Sequence, residues 1–465
     1  MGTTALVAAS RGPFAPRAAH LALVAAGMLT SWGDAVLASD MPLDSVDEHV
    51  EQHATPIDRV EMQRPSPAGQ LVAPPPETPA QRSPFFHDAT FAAQLRTYYL
   101  HREKYDNSHS EAWALGGAFK FTSGYVADLF RMGAVLYTSQ PLYAPDDRDG
   151  TLLLKPGQDG YTVLGQIYGE FKFNDALSGA VGRKEYDTPY INRNDVRMTP
   201  NTFEGITVYG RTGGKDGSPE WRYGGGFISK IKERNSDDFV WMSRDAGAPV
   251  DRGVYLAGVS YSHAGASLGA INYYSDDIIN IFYTEAKYAL PLGKDVKLNL
   301  AAQYTDQRST GDNLLLGREF STHQWGVKAD VAFGGAAFTV AYTDVARGNA
   351  MQSPWSGYPG YTSVQVQDFF RAGESATMVK AAYDFTRHGA TGLSAYALWV
   401  HGSGVVAPLF NEDEADLNLQ WVPDKAGPLR GLSFRMRYAE VKQRGGGDPK
   451  IKDFRLIVNW DFPRS

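Results

Sequence analysis

The chain has 465 residues, of which 45 are basic and 52 acidic, so its net charge is −7. The acidic balance argues against a nucleic-acid partner, because the phosphate backbone selects basic surfaces. The sequence contains no cysteine, which excludes disulfides, zinc–thiolate sites and a cysteine nucleophile. Its 48 glycines, 25 tyrosines and modest 21% of charged residues are typical of an all-β protein with many turns.

The first 38 residues have the composition of a secretory signal peptide. Basic residues precede an apolar stretch at 18–29, and Val36 and Ala38 stand at the −3 and −1 positions of a small-residue cleavage motif. A single membrane anchor is the alternative, but the apolar stretch is short for one. We therefore predict that residues 1–38 are a signal peptide.

Residues 39–85 are rich in proline, as in Pro74-Pro75-Pro76, and show no apolar periodicity. Such a composition cannot bury enough apolar surface to fold alone. This segment is predicted to be a disordered periplasmic linker.

From residue 86 onward the hydrophobic pattern has a period of two, as in β-strands. The last candidate strand shows it most clearly, since Phe454, Leu456, Val458, Trp460 and Phe462 alternate with Asp453, Arg455, Ile457, Asn459 and Asp461. Runs of about ten residues recur, a length that crosses the hydrocarbon layer when the strand is tilted. A soluble β-sandwich would not place so many charges on the face opposite the apolar one.

The pattern predicts eighteen strands in one domain, 86–465, with an all-β fold: a transmembrane antiparallel β-barrel around a water-filled lumen. The strands are expected near 88–102, 111–122, 125–138, 161–174, 177–186, 203–211, 220–232, 252–263, 266–275, 278–290, 295–307, 321–333, 336–346, 376–387, 392–402, 412–422, 430–443 and 450–462. Their connections mostly alternate long and short, with the short Asp276-Asp277 link as an exception. A barrel that begins in the periplasm, with its long loops outside, would show this alternation.

Arginines alternate with apolar residues in several of these strands. A lipid-facing arginine near the bilayer midplane costs roughly 2–4 kcal/mol, so these side chains are expected to face the lumen. There they could exchange a carboxylate between guanidinium groups. The predicted basic track comprises Arg96, Arg131, Arg183, Arg435, Arg437 and Arg455. The alternative is that they only solvate the lumen or pair with inward acids such as Glu170 and Glu285.

Segment 186–202 is predicted to fold into the barrel and to set the width of the pore. Its Pro, Asn and Asp residues favour a folded turn over a strand. Its tyrosine and asparagine side chains offer neutral hydrogen-bonding groups. The candidate residues are Tyr186, Asp187, Tyr190, Asn192, Arg193, Asn194, Asp195 and Arg197. An external loop with a structural Asn/Asp turn is the alternative.

No motif predicts catalysis, a cofactor or a metal. The acidic run 146–150 could bind Ca²⁺, but it lacks the glutamate at the twelfth position of a hand-type loop, so a solvated loop is favoured. The ten histidines are scattered without HExxH spacing, and GxSxG is absent.

Four segments resemble the OprD family of outer-membrane porins. They are Arg96-Thr97-Tyr98-Tyr99, the run from Asn194 to Gly205, Ser433-Phe434-Arg435-Met436-Arg437 and Phe454-Arg455-Leu456-Ile457-Val458. The resemblance extends from about Phe86 to Phe462. It implies an eighteen-stranded barrel that takes up small, often carboxylate-bearing nutrients past a lumenal row of basic residues, with Arg435 and Arg437 in that row.

The function expected is passive, moderately selective diffusion of small anionic or zwitterionic solutes across the outer membrane, whose lipid bilayer surrounds the barrel. A barrel enzyme of lipase or protease type and a plugged structural barrel are the alternatives. An enzyme would need a Ser/His or Asp/His set at one level of the barrel, and no spacing selects one. The sequence leaves open whether the barrel is a monomer or a trimer.

Overall fold

The computed structural model describes residues 84–462, except 215–216, 294–295, 356 and 424–426. The predicted signal peptide and all but the last two residues of the predicted linker lie outside the described residues. Pro84 and Phe85, which end that linker, belong to a short helix, α1 (Pro84–His87). Among the described residues, no helix is long and apolar enough to cross a membrane.

The described residues form nineteen strands in one sheet, of which eighteen are long and one, β8, has two residues. They are β1 (Thr90–Glu103), β2 (His109–Thr122), β3 (Phe130–Tyr143), β4 (Tyr161–Lys172), β5 (Leu177–Lys184), β6 (Thr202–Gly213), β7 (Glu220–Lys232), β8 (Val240–Trp241), β9 (Val254–His263), β10 (Ala266–Ser275), β11 (Ile279–Pro291), β12 (Val296–Arg308), β13 (Ser321–Phe333), β14 (Ala336–Val345), β15 (Ser375–Asp384), β16 (Leu393–Ser403), β17 (Asn411–Trp421), β18 (Leu432–Arg444) and β19 (Lys450–Phe462). A second short helix, α2, spans Met242–Asp245.

The long strands pair antiparallel in chain order, and β1 pairs with both β2 and β19, which closes the barrel. This confirms the predicted eighteen-stranded fold. Closure pairs the first described strand with the last, so the described sheet has no long strand with a wholly unpaired edge. One predicted start was wrong: β3 begins at Phe130 rather than at 125, because a turn closed by a Val126–Phe130 bridge precedes it. Ala127 and Asp128 have φ values of 52° and 54° there, which are incompatible with a strand.

The two faces of each strand differ as a membrane barrel requires. In β17, Leu417 and Leu419 are 57% and 40% exposed on the outer wall, whereas Glu414, Asp416 and Asn418 are buried in the interior. The apolar residues face lipid, and the polar ones face the lumen.

Aromatic pairs mark the end of the barrel where the connections are short. They include Phe130–Phe171, Trp221–Tyr261, Phe333–Phe338 and Trp421–Phe434, with ring centroids 4.9–6.0 Å apart. Aromatic rings prefer the boundary between hydrocarbon and headgroups, so these pairs form one girdle of the barrel.

All of the longest connections emerge at the opposite end. They are 144–160, 185–201, 233–253, 309–320 and 346–374. The largest buried apolar cluster joins the 185–201 and 346–374 loops to the inner wall, through Tyr190, Trp355, Tyr358 and Tyr273. The indole nitrogen of Trp355 also donates to the Met242 carbonyl at 3.0 Å, which ties the 233–253 loop to the same cluster.

Candidate functional site

Four of the six predicted track arginines lie together on one wall of the lumen. Arg96 is on β1, Arg455 on β19, and Arg435 and Arg437 on β18, three strands that are hydrogen-bonded in sequence. Arg437 and Arg455 are direct cross-strand partners. Their side chains share the inward face because each alternates with an outward apolar residue.

The Arg96 side chain binds the 185–201 loop. Its guanidinium makes a bidentate ion pair with Asp195, at 2.5 and 2.9 Å, and donates to the Arg197 carbonyl. A third contact joins it to Asn459 of β19 at 2.9 Å. Since only 2% of Arg96 is exposed, it anchors the loop rather than facing open lumen.

The Arg455 side chain binds the 346–374 loop in a similar way. Its Nη2 donates to the Gln365 carbonyl at 2.8 Å, and its Nε donates to Asp453 at 2.5 Å. Asp453 also pairs with Arg102 at 2.7 Å and accepts from the side-chain amide of Gln365 at 2.8 Å. The predicted track residue Arg455 is thus the centre of a buried anchor.

Arg435 and Arg437 keep part of their surface exposed to the lumen. The Nε of Arg435 donates to the side-chain oxygen of Asn418 at 2.8 Å, and the Nη2 of Arg437 donates to the Tyr396 hydroxyl at 3.3 Å. Both guanidinium groups therefore present part of their surface to a passing anion, and the Arg437 charge also interacts with the carboxylate of Asp416.

Arg131 and Arg183 lie apart from these four, on β3 and β5. Arg131 pairs with Glu170 at 2.5 Å, and Arg183 pairs with Glu204 at 3.0 Å while its guanidinium lies 4.1 Å from the Phe239 ring centre. The structure therefore places two of the six predicted arginines in acid-paired positions away from the β18–β19–β1 wall.

The tip of the 185–201 loop inserts Tyr190 between the inner wall and the 346–374 loop. Its ring packs edge-on against Tyr273 of β10, Tyr283 of β11 and Tyr358, with centroids 5.9, 6.4 and 6.4 Å away. The loop starts and ends on β5 and β6, so it reaches a distant part of the wall. Tyr190 is 0% exposed, so its role is packing rather than lining an open passage.

Local hydrogen bonds shape this tip. Asp187 and Asn192 form a backbone bridge, and the Asn192 amide donates to the carbonyls of Thr188 and Pro189 at 3.4 Å. Asn194 adopts a φ of 40°, a left-handed conformation that asparagine tolerates well. The Tyr186 hydroxyl lies 3.2 Å from the hydroxyl of Thr207 on β6.

The charges of the loop are paired or buried. Arg193 contacts Glu185 at 3.5 Å and Asp187 at 3.2 Å. Burial raises the pKa of Asp187 to about 6, although the Arg193 charge opposes the shift. Arg197 donates to the Thr151 and Val196 carbonyls, both at 2.9 Å, and burial holds its pKa below the usual range.

The inward course of the 346–374 loop was missed by sequence reasoning. The backbone amides of Val366 and Gln367 donate to the two carboxylate oxygens of Glu414, each at 2.8 Å. The backbone amide of Gln365 donates to Asp416 at 3.2 Å. On another part of the wall, the Tyr361 hydroxyl donates to Glu285 at 2.8 Å. A signal was present, since the alternation places Glu414 and Asp416 on the inward face of β17.

The acidic run 146–150 has a structural arrangement of its own. Residues 146–148 form a 3-10 turn, and the Asp149 carboxylate accepts from the backbone amides of Gly150 and Gly157 at 2.5 and 2.7 Å. Arg148 pairs with Glu111 of β2. These bonds tie the run to neighbouring backbone and to the barrel wall.

Comparison with protein-family models decides the family. The model described as outer membrane porin, OprD family, matches residues 83–463. The chain belongs to the OprD family of outer membrane porins. The barrel of this OprD-family porin therefore lies in the outer membrane, surrounded by its lipid bilayer, and small solutes pass through members of this family.

Solved structures share the fold of this porin at low sequence identity. Pseudomonas aeruginosa OccK9 (OpdG) has a TM-score of 0.71 at 23% identity, covering 81% of this chain and 99% of that one. Pseudomonas aeruginosa OpdK with vanillate gives 0.70 at 23%, covering 82% and 100%. A BenF-like porin from Pseudomonas fluorescens Pf-5 gives 0.72 at 19%, covering 81% and 99%. A search of curated protein sequences found no match to the chain.

Proposed function

We propose that this porin is a passive, moderately selective channel for small anionic or zwitterionic solutes, mainly those that carry a carboxylate. The observation that supports this most is the pair Arg435 and Arg437, which lie two residues apart on β18 and remain partly exposed on the lumenal wall. Adjacent guanidinium groups let a carboxylate change partners without leaving the wall. Each site must hold weakly enough to release the solute.

The two inward loops set the width of the passage in this proposal. The 185–201 loop is joined to the wall through Arg96 and Tyr190, and the 346–374 loop through Glu414 and Arg455. A solute that enters from the long-loop end would pass between these loops and the wall that carries Arg435 and Arg437. Vanillate, found in the OpdK structure, is an aromatic carboxylate and a reasonable first test solute.

A plugged barrel is the second candidate, because the two loops touch each other through Tyr190 and Tyr358. Planar-bilayer recording of the purified full chain separates the two. We expect stable single-channel conductance, a preference for anions, and partial block of the current by millimolar vanillate or benzoate. Absence of conductance would refute the channel and favour the plug.

The Arg435→Ala/Arg437→Ala double variant tests the carboxylate claim. We expect it to conduct but to lose most of its anion preference and of its block by carboxylates. Arg308→Ala is a suitable control, because Arg308 is exposed at the end of β12 and pairs with Asp306 at 2.7 Å. If the double variant matched the wild type, selectivity would not come from these arginines, although the channel would remain.

A further inference from the structure

The outer wall of the barrel carries a cluster of histidine and glutamate at its long-loop end. In the β1–β2 ladder, His101 is the cross-strand partner of Glu111, and Glu103 is the partner of His109. The residues on either side of His101, Leu100 and Arg102, alternate onto the inward face, where Leu100 is buried and Arg102 pairs with Asp453. The cluster therefore lies on the opposite side of the wall from the lumen.

The geometry brings three potential metal ligands together. One ligand atom from each of His101, Glu103 and His109 lies within 4.8 Å of the other two. The two imidazole rings have centroids 5.3 Å apart. An ion can reach them, because 29% of the His101 side chain and 38% of the Glu103 side chain are exposed.

Two imidazoles and one carboxylate are a ligand set that Zn²⁺ accepts, with water in the fourth position of a tetrahedron. Ca²⁺ and Mg²⁺ instead select oxygen ligands. We propose that His101, Glu103 and His109 form a zinc site on the outer wall of the barrel, at the level of its long-loop rim. The site is independent of what passes through the lumen.

Small side-chain movements would complete the site. Ligands about 2.0–2.1 Å from a tetrahedral ion stand roughly 3.4 Å apart, so each of the three atoms needs to move by at most about an ångström. Pairing of β1 and β2 along their whole length holds the backbone in place, so the adjustment falls to the side chains. Rotation of the exposed imidazoles supplies the adjustment.

A neighbouring cation competes for the carboxylate. Lys452 of β19 donates to Glu103 at 2.8 Å, so zinc must displace this ion pair. Glu111 is not counted among the ligands, because it accepts from the Tyr99 hydroxyl at 2.5 Å and pairs with Arg148. Removal of the Lys452 charge should therefore tighten zinc binding.

The test is a titration of the purified, detergent-solubilised full chain with Zn²⁺ alone, by calorimetry and by metal analysis after dialysis. We expect one Zn²⁺ per chain, a Kd at least tenfold weaker in His101→Ala and in His109→Ala, and a Kd a few-fold tighter in Lys452→Gln. His323→Ala is the matched control and should bind as the wild type does. His323 stacks on Tyr304 near the same rim and faces only one carboxylate across the ladder, that of Asp306.

A second readout identifies the ligands directly. With Cu²⁺ as a paramagnetic probe, electron paramagnetic resonance should show coupling to two imidazole nitrogens in the wild type and to one in either histidine variant. Heat modifiability on gels verifies that each variant is a folded barrel. No saturable Zn²⁺ binding, or binding unchanged when both histidines are replaced, would overturn the proposal, as would a wild-type spectrum without nitrogen coupling.

Discussion

The two loops that enter the lumen are held by different forces. The 185–201 loop has an apolar tip, Tyr190, packed among tyrosine rings, and a bidentate ion pair between its Asp195 and Arg96. The 346–374 loop also packs Trp355 and Tyr358 in the apolar cluster, but its 365–367 segment is held mainly through backbone groups, since the Val366 and Gln367 amides donate to Glu414 and the Gln365 carbonyl accepts from Arg455. The 185–201 loop is therefore held by its own side chains, whereas the 365–367 segment is held by side chains of the wall.

This difference determines which part of the sequence specifies the docking of each loop. Anchoring of the 185–201 loop depends on residues within the loop itself, so its sequence stands out as unusual. Anchoring of the 365–367 segment depends mainly on residues of β17 and β19, and many loop sequences could offer the same amides and carbonyls. A change in the wall should therefore release the 365–367 segment, whereas a change either in the wall or in the loop should release the 185–201 loop.

Of the variants considered, Tyr190→Ala should weaken loop docking the most. Removal of a buried aromatic side chain costs about 3–5 kcal/mol. Here the loss reduces the free energy with which the loop tip docks on the wall. We expect faster hydrogen exchange across residues 186–196 and a larger, noisier single-channel conductance. Tyr190→Phe keeps the ring and loses only the hydroxyl, which contacts Thr305 at 3.5 Å and also interacts with Gln307, so its loop tip should stay docked. Equal exchange rates in the two variants would mean that the ring packing does not hold the tip.

Arg96→Ala should release the other end of the same loop. Breaking a buried ion pair by removing one partner costs about 3–5 kcal/mol, and the Asp195 side chain, 11% exposed, should place the effect near the lower limit. Hydrogen exchange should rise around residues 195–198. Arg102→Ala serves as the control, because Arg102 pairs with Asp453 on the neighbouring strand instead. Similar exchange at 195–198 in both variants would contradict a specific anchor.

Glu414→Gln should weaken the 346–374 loop while the 185–201 loop stays docked. The glutamine side chain has one oxygen in place of two, so it can accept from only one of the two amides, and a buried donor left without a partner costs about 1–3 kcal/mol. The Val366 and Gln367 amides should exchange faster than in the wild type. Asp413→Asn, an acid on the outward face of β17 that contacts His401, should leave them unchanged. Release of residues 186–196 as well would show that the Tyr190–Tyr358 contact couples the loops.

The smallest expected effect is a pH dependence of the 185–201 loop. The buried Asp187 has a pKa raised to about 6, above its value in an undocked loop, so the docked state holds the proton more tightly. Docking should weaken as pH rises from about 4 to about 6, by no more than about 1.4 kcal/mol per pH unit, and level off above that range. Hydrogen exchange between pH 4 and 8, corrected for the intrinsic rate, measures this. Asp187→Asn should remove that component, and the same profile in the variant would exclude Asp187 as its source.

The sequence by itself determined the barrel, because strand alternation is a local property. Each strand must show one face to lipid and the other to the lumen, so its period and length are visible without knowledge of its neighbours. The predicted bounds of β4, β7, β13 and β19 agree with the observed ones to within two residues. The inward direction of Arg96, Arg435 and Arg455 followed from the same rule.

Only the tertiary structure decided what those inward charges do. Arg96 pairs with Asp195, and Arg455 donates to the Gln365 carbonyl. Tyr190 packs against Tyr283. All three contacts join residues that are far apart in the chain. Alternation sets the side of the wall but not the height of a side chain relative to a loop folded in from elsewhere. For that reason two predicted track residues, Arg96 and Arg455, proved to be loop anchors, whereas Arg435 and Arg437 kept the exposure on which the proposed selectivity rests.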